Sequence, residues 1–154
     1  MQLRTLKKTP GPYQPNTPMK EIHGICIYCG DPRKATANLW KYIKAELIPE
    51  AERYTPIGQL GGAIPLARPA DFPIKFAAIM EDIKFALEEF AESKFILVGH
   101  DCGIYKRLAP KNFTLEEKKR DIALAAAFLR EYYPNVPVSA WFKNVGVAEF
   151  EKIS

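Results

Sequence analysis

The sequence predicts a single α/β domain built on a mainly parallel β-sheet of about four strands, with helices on both faces. Apolar runs without polar interruption, such as KFILVG at 94–99, are typical of parallel strands that are covered on both faces. These runs alternate with segments whose apolar residues recur at helical spacing, and this alternation favours parallel strands joined by right-handed crossovers. The length of 154 residues is that of one domain.

Each element has its own signal along the chain. Residues 1–20 contain four prolines and no periodicity, so we expect an extended arm ahead of a domain at 21–154. We predict strands over 22–28, 53–57, 94–99 and 136–142, and helices over 35–47 and from Pro73 to about Glu92. Thr114 and Glu117 form a capping box that opens a further helix, which ends near Tyr133.

Composition and charge argue against several classes of protein. No apolar run approaches the roughly 20 residues that cross a bilayer, so we expect no membrane association. The net charge of +4 comes from mixed charges without a basic block, which is typical of a solvated surface and not of a nucleic-acid interface. The odd count of three cysteines and the lack of a visible signal segment favour a cytoplasmic protein with reduced thiols.

Polar clusters follow three of the predicted strands, at the point where each strand ends. Cys29, Asp31 and Arg33 follow the first strand, the glycine-rich loop GQLGGAIPLA at 58–67 follows the second, and GHDCG at 99–103 follows the third. Ligands of such sheets bind beyond the carboxyl ends of the strands, where the strand order reverses. We therefore expect the three clusters to converge on one site.

The donors in these clusters suit zinc. Two thiolates and one imidazole, from Cys29, Cys102 and His100, would leave the fourth tetrahedral position open for water, which is the arrangement of a catalytic zinc. Arg33 is placed to hold Asp31 as a carboxylate that accepts the proton of zinc-bound water. Alternatively, Asp31 or the intervening Asp101 could be a fourth ligand, and a closed site would bind zinc without catalysis.

Three motifs together resemble the β-class carbonic anhydrases, especially small, divergent bacterial members. They are Cys-x-Asp-x-Arg at 29–33, the glycine-rich loop at 58–67 and ILVGHDCGIY at 96–105, and the likeness covers about 22–142. The resemblance implies that Cys29, His100 and Cys102 ligate zinc, and that Asp31 and Arg33 form a dyad that governs the fourth ligand.

The resemblance also implies an activity and an assembly. The expected reaction is the reversible hydration of carbon dioxide to bicarbonate by a zinc-bound hydroxide, with backbone groups of Gly61 and Gly62 shaping the substrate pocket. The expected assembly is a homodimer or a dimer of dimers, in which the N-terminal arm reaches across to the partner.

The second zinc motif departs from the family's pattern. The family has His-x-x-Cys, whereas His100 and Cys102 are separated by one residue. Residues two apart in extended backbone point to the same side, so both side chains can still reach one metal ion. The shorter spacing supports an alternative function, namely a zinc-binding relative without hydratase activity that has another small substrate or a binding role.

A third hypothesis treats Cys102 as a nucleophile of sulfur or phosphoryl transfer. Its support is a cysteine after a parallel strand with Arg107 five residues later, which is similar to an anion-binding loop. Cys26 lies three positions before Cys29, so in a strand the two side chains point to opposite faces and Cys26 is predicted to be structural. His23 is predicted to be a surface or packing residue.

Overall fold

Five strands and the helices between them make up the part of the chain that the structure, a computed structural model, describes: residues 23–30, 39–50, 52–89, 94–144 and 149–154. The strands are β1 (Gly24–Tyr28), β2 (Tyr54–Ile57), β3 (Phe95–His100), β4 (Val138–Lys143) and β5 (Glu151–Lys152). The helices are α1 (Leu39–Tyr42), which continues as a π-helical turn (Ile43–Leu47), α2 (Ile64–Ala67), α3 (Pro73–Glu89), a 3₁₀ helix (Gly103–Leu108) and α4 (Leu115–Tyr132).

The sheet has the strand order β2-β1-β3-β4-β5. β1 pairs in parallel with β2 and β3, and β3 pairs in parallel with β4, while β5 is antiparallel to β4. The chain leaves β1 towards β2 on one side and leaves β3 towards β4 on the other. The strand order therefore reverses between β1 and β3, and this is where such a sheet offers a ligand site beyond its carboxyl edge.

Apolar side chains are buried on both faces of the sheet, as the uninterrupted strands predicted. One face packs its residues, among them Ile27, Leu97 and Phe142, against α2, α3 and α4. The other face joins Cys26 and Val98 to a smaller cluster with side chains from α1 and the π-helical turn. The predicted α/β fold with helices on both faces is confirmed.

The local signals agree with the observed elements at most boundaries. Thr114 accepts a hydrogen bond from the Glu117 backbone N–H at 3.1 Å, and the Glu117 carboxylate accepts one from the Thr114 N–H at 2.8 Å. The predicted capping box is therefore present at the start of α4. The expected arm at 1–20 and the predicted helical residues 35–38 lie outside the described residues.

The sequence predicted about four strands, and the structure adds β5. This strand is only two residues long, so alternation of apolar and polar residues could not reveal it. It is held by backbone hydrogen bonds near the C-terminus, in which Ile153 donates to the Ala140 carbonyl and Ala140 donates to the Ser154 carbonyl. Among the described residues, no helix is long and apolar enough to cross a membrane.

Candidate metal centre

Cys29, His100 and Cys102 meet beyond the carboxyl edge of the sheet, at the reversal between β1 and β3. Cys29 directly follows β1, His100 is the last residue of β3, and Cys102 lies two residues further, ahead of the 3₁₀ helix. Their donor atoms all lie within 4.8 Å of one another. The three side chains are 3%, 3% and 6% exposed, respectively. The sequence predicted that these residues converge, and the structure brings them together.

The two sulfur atoms have a separation that suits a shared metal ion. Cys29 Sγ and Cys102 Sγ are 3.6 Å apart, far beyond a disulfide bond of about 2.05 Å. Two thiolates about 2.3 Å from one tetrahedral zinc ion would be about 3.8 Å apart. The observed distance is therefore close to that of a ligand pair.

The imidazole of His100 gives a second, independent observation. Among the described residues neither ring nitrogen of His100 has a hydrogen-bond partner, although the side chain is buried. Buried polar atoms without a partner are rare in folded proteins, because each loses its hydration without compensation. A metal ion at this position would supply the missing partner for one nitrogen. The donor set and its surroundings thus fit a zinc-type metal.

The groups around Cys29 lower the pKa of its thiol. The adjacent Cys102 thiol, with smaller contributions from His100 and the Gly61 N–H, lowers the pKa of the Cys29 thiol from 9.0 to about 4, against the effect of burial. Thiolate is the form that ligates metal ions. The lowered pKa therefore favours the thiolate form of Cys29.

The glycine-rich loop supports Cys29 directly. The Gly61 N–H donates a hydrogen bond to Cys29 Sγ over 3.3 Å. Gly61 and Gly62 have φ angles of +94° and +54°, the left-handed region that favours glycine. A Cβ on Gly62 would lie 2.9 Å from the Cys29 backbone nitrogen. The backbone of the loop thus lies so close to Cys29 that a side chain at Gly62 would clash with it. The role of the loop in a substrate pocket stays a prediction.

Other predicted residues lie apart from the three donors. The Asp101 carboxylate pairs with Lys118 Nζ at 2.5 Å and is about half exposed, so it lies outside the donor group. Cys26 is fully buried in the cluster on the opposite face of the sheet, as predicted for a structural residue. Asp31 and Arg33, the predicted dyad, lie outside the described residues.

Comparison with known proteins finds a likeness in fold. One solved structure, a carbonic anhydrase from Glaciozyma antarctica, matches 91% of this chain and 87% of its own, with a TM-score of 0.59. The sequence identity is 15%, so this likeness shows a carbonic anhydrase-like fold and nothing finer. No protein-family model matches the chain, and no curated protein matches its sequence.

A cluster of Arg68, Tyr105 and Asp121 beside the site was missed by sequence reasoning. Asp121 lies on α4 and is 3% exposed. Its Oδ2 accepts hydrogen bonds from Arg68 Nε at 2.6 Å and from the Tyr105 hydroxyl at 2.8 Å. A signal was present, because Asp121 stands one helical turn before Ala125 and two before Leu129, in the apolar stripe of the helix. A carboxylate in such a stripe indicates a buried partner.

Proposed function

We propose that this protein is a zinc enzyme of the β-class carbonic anhydrase type, which hydrates carbon dioxide reversibly to bicarbonate. The observation that carries the proposal is the buried group of Cys29, His100 and Cys102 at the reversal of strand order, in which the imidazole has no hydrogen-bond partner among the described residues. The fold of a solved carbonic anhydrase supports it. Three protein donors leave one tetrahedral position for a small molecule.

The described residues would each have one task. Cys29 and Cys102 hold the metal as thiolates, and His100 holds it through one ring nitrogen. The Gly61 N–H keeps its hydrogen bond to Cys29 Sγ, which spreads part of the thiolate charge into the backbone. A bound zinc ion would act as a Lewis acid and would lower the pKa of its water ligand to about 7.

The dyad of Asp31 and Arg33 completes the proposed mechanism. Arg33 keeps Asp31 ionised through paired N–H donors. A carboxylate oxygen of Asp31 accepts a hydrogen bond from the reacting water and orients it towards the carbon of carbon dioxide, and the proton passes to solvent. Gly61 and Gly62 present backbone to the substrate side. The homodimer and the cytoplasmic location predicted from the sequence belong to the same proposal.

The first test measures metal content and activity on one purified sample. Elemental analysis should find about one zinc per chain, and stopped-flow measurement should find hydration of carbon dioxide above background. Cys29→Ala should lose the zinc and the hydration. Cys26→Ala is the matched control, because it removes a buried thiol from the opposite face and should keep both.

The same experiment separates the other functions. Stoichiometric zinc without hydration would favour the alternative of a zinc-binding protein with another role. A protein without zinc, whose activity survives chelators and is lost on alkylation, would favour Cys102 as a nucleophile. The burial of these residues favours the metal site over the nucleophile. Cys102 is only 6% exposed, whereas Arg107, which would bind the anion beside it, is exposed on the surface.

A further inference from the structure

Asp121 is a charged residue inside the apolar face of α4. Burying a carboxylate is unfavourable unless donors compensate for the lost hydration. Arg68 Nε and the Tyr105 hydroxyl both donate to the same carboxylate oxygen, Oδ2 of Asp121. Burial and the neighbouring carboxylate raise the pKa of Tyr105, so its hydroxyl stays protonated and donates. Two donors therefore compensate for the burial of one carboxylate oxygen.

Each donor lies a few residues along the chain from a residue that carries or contacts one of the two sulfur atoms. Tyr105 lies in the 3₁₀ helix, three residues after Cys102. Arg68 directly follows α2, the short helix that the glycine loop of Gly61 leads into, and Gly61 donates to Cys29 Sγ. One carboxylate oxygen thus connects the Cys102 turn to the loop that supports Cys29.

A second contact from α4 acts on the same turn. Lys118 lies three residues before Asp121, and hence on the same side of the helix. Its Nζ pairs with the Asp101 carboxylate at 2.5 Å and lies 5.3 Å from the centre of the Tyr105 ring. Along the chain, Asp101 precedes Cys102 and Tyr105 follows it. The helix therefore holds the short turn before and after the cysteine.

We propose that Asp121 is a positioning residue of the metal centre, which sets the separation of the Cys29 and Cys102 sulfur atoms by tying two segments to α4: the turn that carries Cys102 and the α2 segment that follows the Gly61 loop. This inference rests on the proposed function for its consequence, metal affinity. The arrangement of the two thiols is a property of the chain itself and can be measured without metal. Asp121 contacts none of the reacting atoms and acts only through Arg68 and Tyr105.

The test uses two variants and one control in the full-length protein. Asp121→Asn removes the charge but keeps the size of the side chain, and Tyr105→Phe removes only the hydroxyl. Ile83→Val is the control, since it trims a buried side chain of α3 and alters no hydrogen bond. For each protein we would measure thermal stability, zinc affinity by competition with a chromophoric chelator, and the absorption spectrum after substitution with cobalt.

The expected result is weaker binding in the folded variants. Removing a group that hydrogen-bonds a metal ligand lowers affinity by about 10- to 100-fold. Asp121 acts one contact further out, so Asp121→Asn should lose a factor at the lower end, about 10-fold, and Tyr105→Phe a smaller factor. The cobalt bands should shift in both variants and stay unchanged in Ile83→Val. Variants that melt earlier but keep the zinc affinity and the cobalt spectrum of the parent would overturn the inference, because Asp121 would then be merely structural.

A metal-free measurement separates this inference from the proposed function. In a glutathione buffer, oxidised glutathione converts Cys29 and Cys102 to a disulfide and leaves as two reduced molecules, and the equilibrium constant reports how closely the thiols are held together. We expect this constant to fall several-fold in Asp121→Asn. If the parent protein binds no zinc, the proposed function fails, and an unchanged constant would then also refute the role of Asp121.

Discussion

Replacing Gly61 with alanine should destabilise the protein by about 1.5–4.5 kcal/mol. Gly61 has a φ of +94°, and a side chain held in that region costs about 1–3 kcal/mol. A Cβ at this position would lie 2.2 Å from Ile104 Cδ1, where carbon atoms normally stay about 3.5–4.0 Å apart. Ile104 is buried, so its shift to a strained rotamer adds about 0.5–1.5 kcal/mol.

A double-mutant cycle with Ile104→Val separates the two contributions. Valine lacks Cδ1, and the next Ile104 atom, Cγ1, lies 3.4 Å from the added Cβ, which is an ordinary contact. In this background the penalty of Gly61→Ala should fall to its backbone part alone, about 1–3 kcal/mol. The two substitutions are in direct contact, so their effects should not be additive.

Thermal and urea unfolding of the metal-free proteins are the assays. For a domain of this size 1 kcal/mol corresponds to about 2–4 °C, so Gly61→Ala should lower the Tm by about 3–18 °C. Ile104→Val alone should cost about 0.5–1.5 kcal/mol. An alanine at position 61 that leaves the Tm unchanged would refute the positive φ and the close packing together. An equal penalty in both backgrounds would refute the contact with Ile104.

Three further predictions concern the site and α4. In the metal-free protein, ultraviolet absorbance should show a thiolate that titrates at a pH of about 4 and is missing in Cys29→Ala. Because the pKa of Cys29 is lower in the folded state than in the unfolded state, its ionisation stabilises fully above pH 9 and this stabilisation is lost as the pH falls to about 4. The stability advantage over Cys29→Ala should shrink across that range, and a pH-independent difference would contradict the depressed pKa. Asp31→Asn should keep the zinc but lower carbon dioxide hydration, and unchanged hydration would remove Asp31 from the mechanism. Thr114→Ala should cost about 1 kcal/mol by removing the helix cap, whereas Thr114→Ser should keep it, as urea unfolding would show.

The fold could be predicted because its signals are local. β1 and β3 lie inside the sheet and are covered on both faces, so each is read as an uninterrupted apolar run. The cap of α4 needs only Thr114 and Glu117, three residues apart. β5 has no comparable signal, since backbone hydrogen bonds near the C-terminus hold it, and these do not depend on side-chain type.

The three donors were predictable for a topological reason. Parallel strands end at the same edge, so polar residues after β1 and after β3 had to approach each other once the strand order was known. The contact between Arg68 and Asp121 follows from no such rule. The two residues are 53 positions apart and meet because α2 packs against α4. The sequence indicates this contact only through one charged residue, Asp121, in an apolar stripe.

The donors differ in what holds them, and this bears on how the short His-x-Cys motif can work. His100 is fixed by the sheet, because it ends β3 in register with Lys143 of β4. Cys29 and Cys102 lie outside the strands, where a hydrogen bond from Gly61 and the contacts of Asp121 take the place of strand pairing. The position of the imidazole is thus a property of the fold, whereas that of the sulfur pair depends on a few local contacts. Loosening those contacts should move two donors relative to a fixed third, so metal affinity should respond to changes that leave the sheet intact.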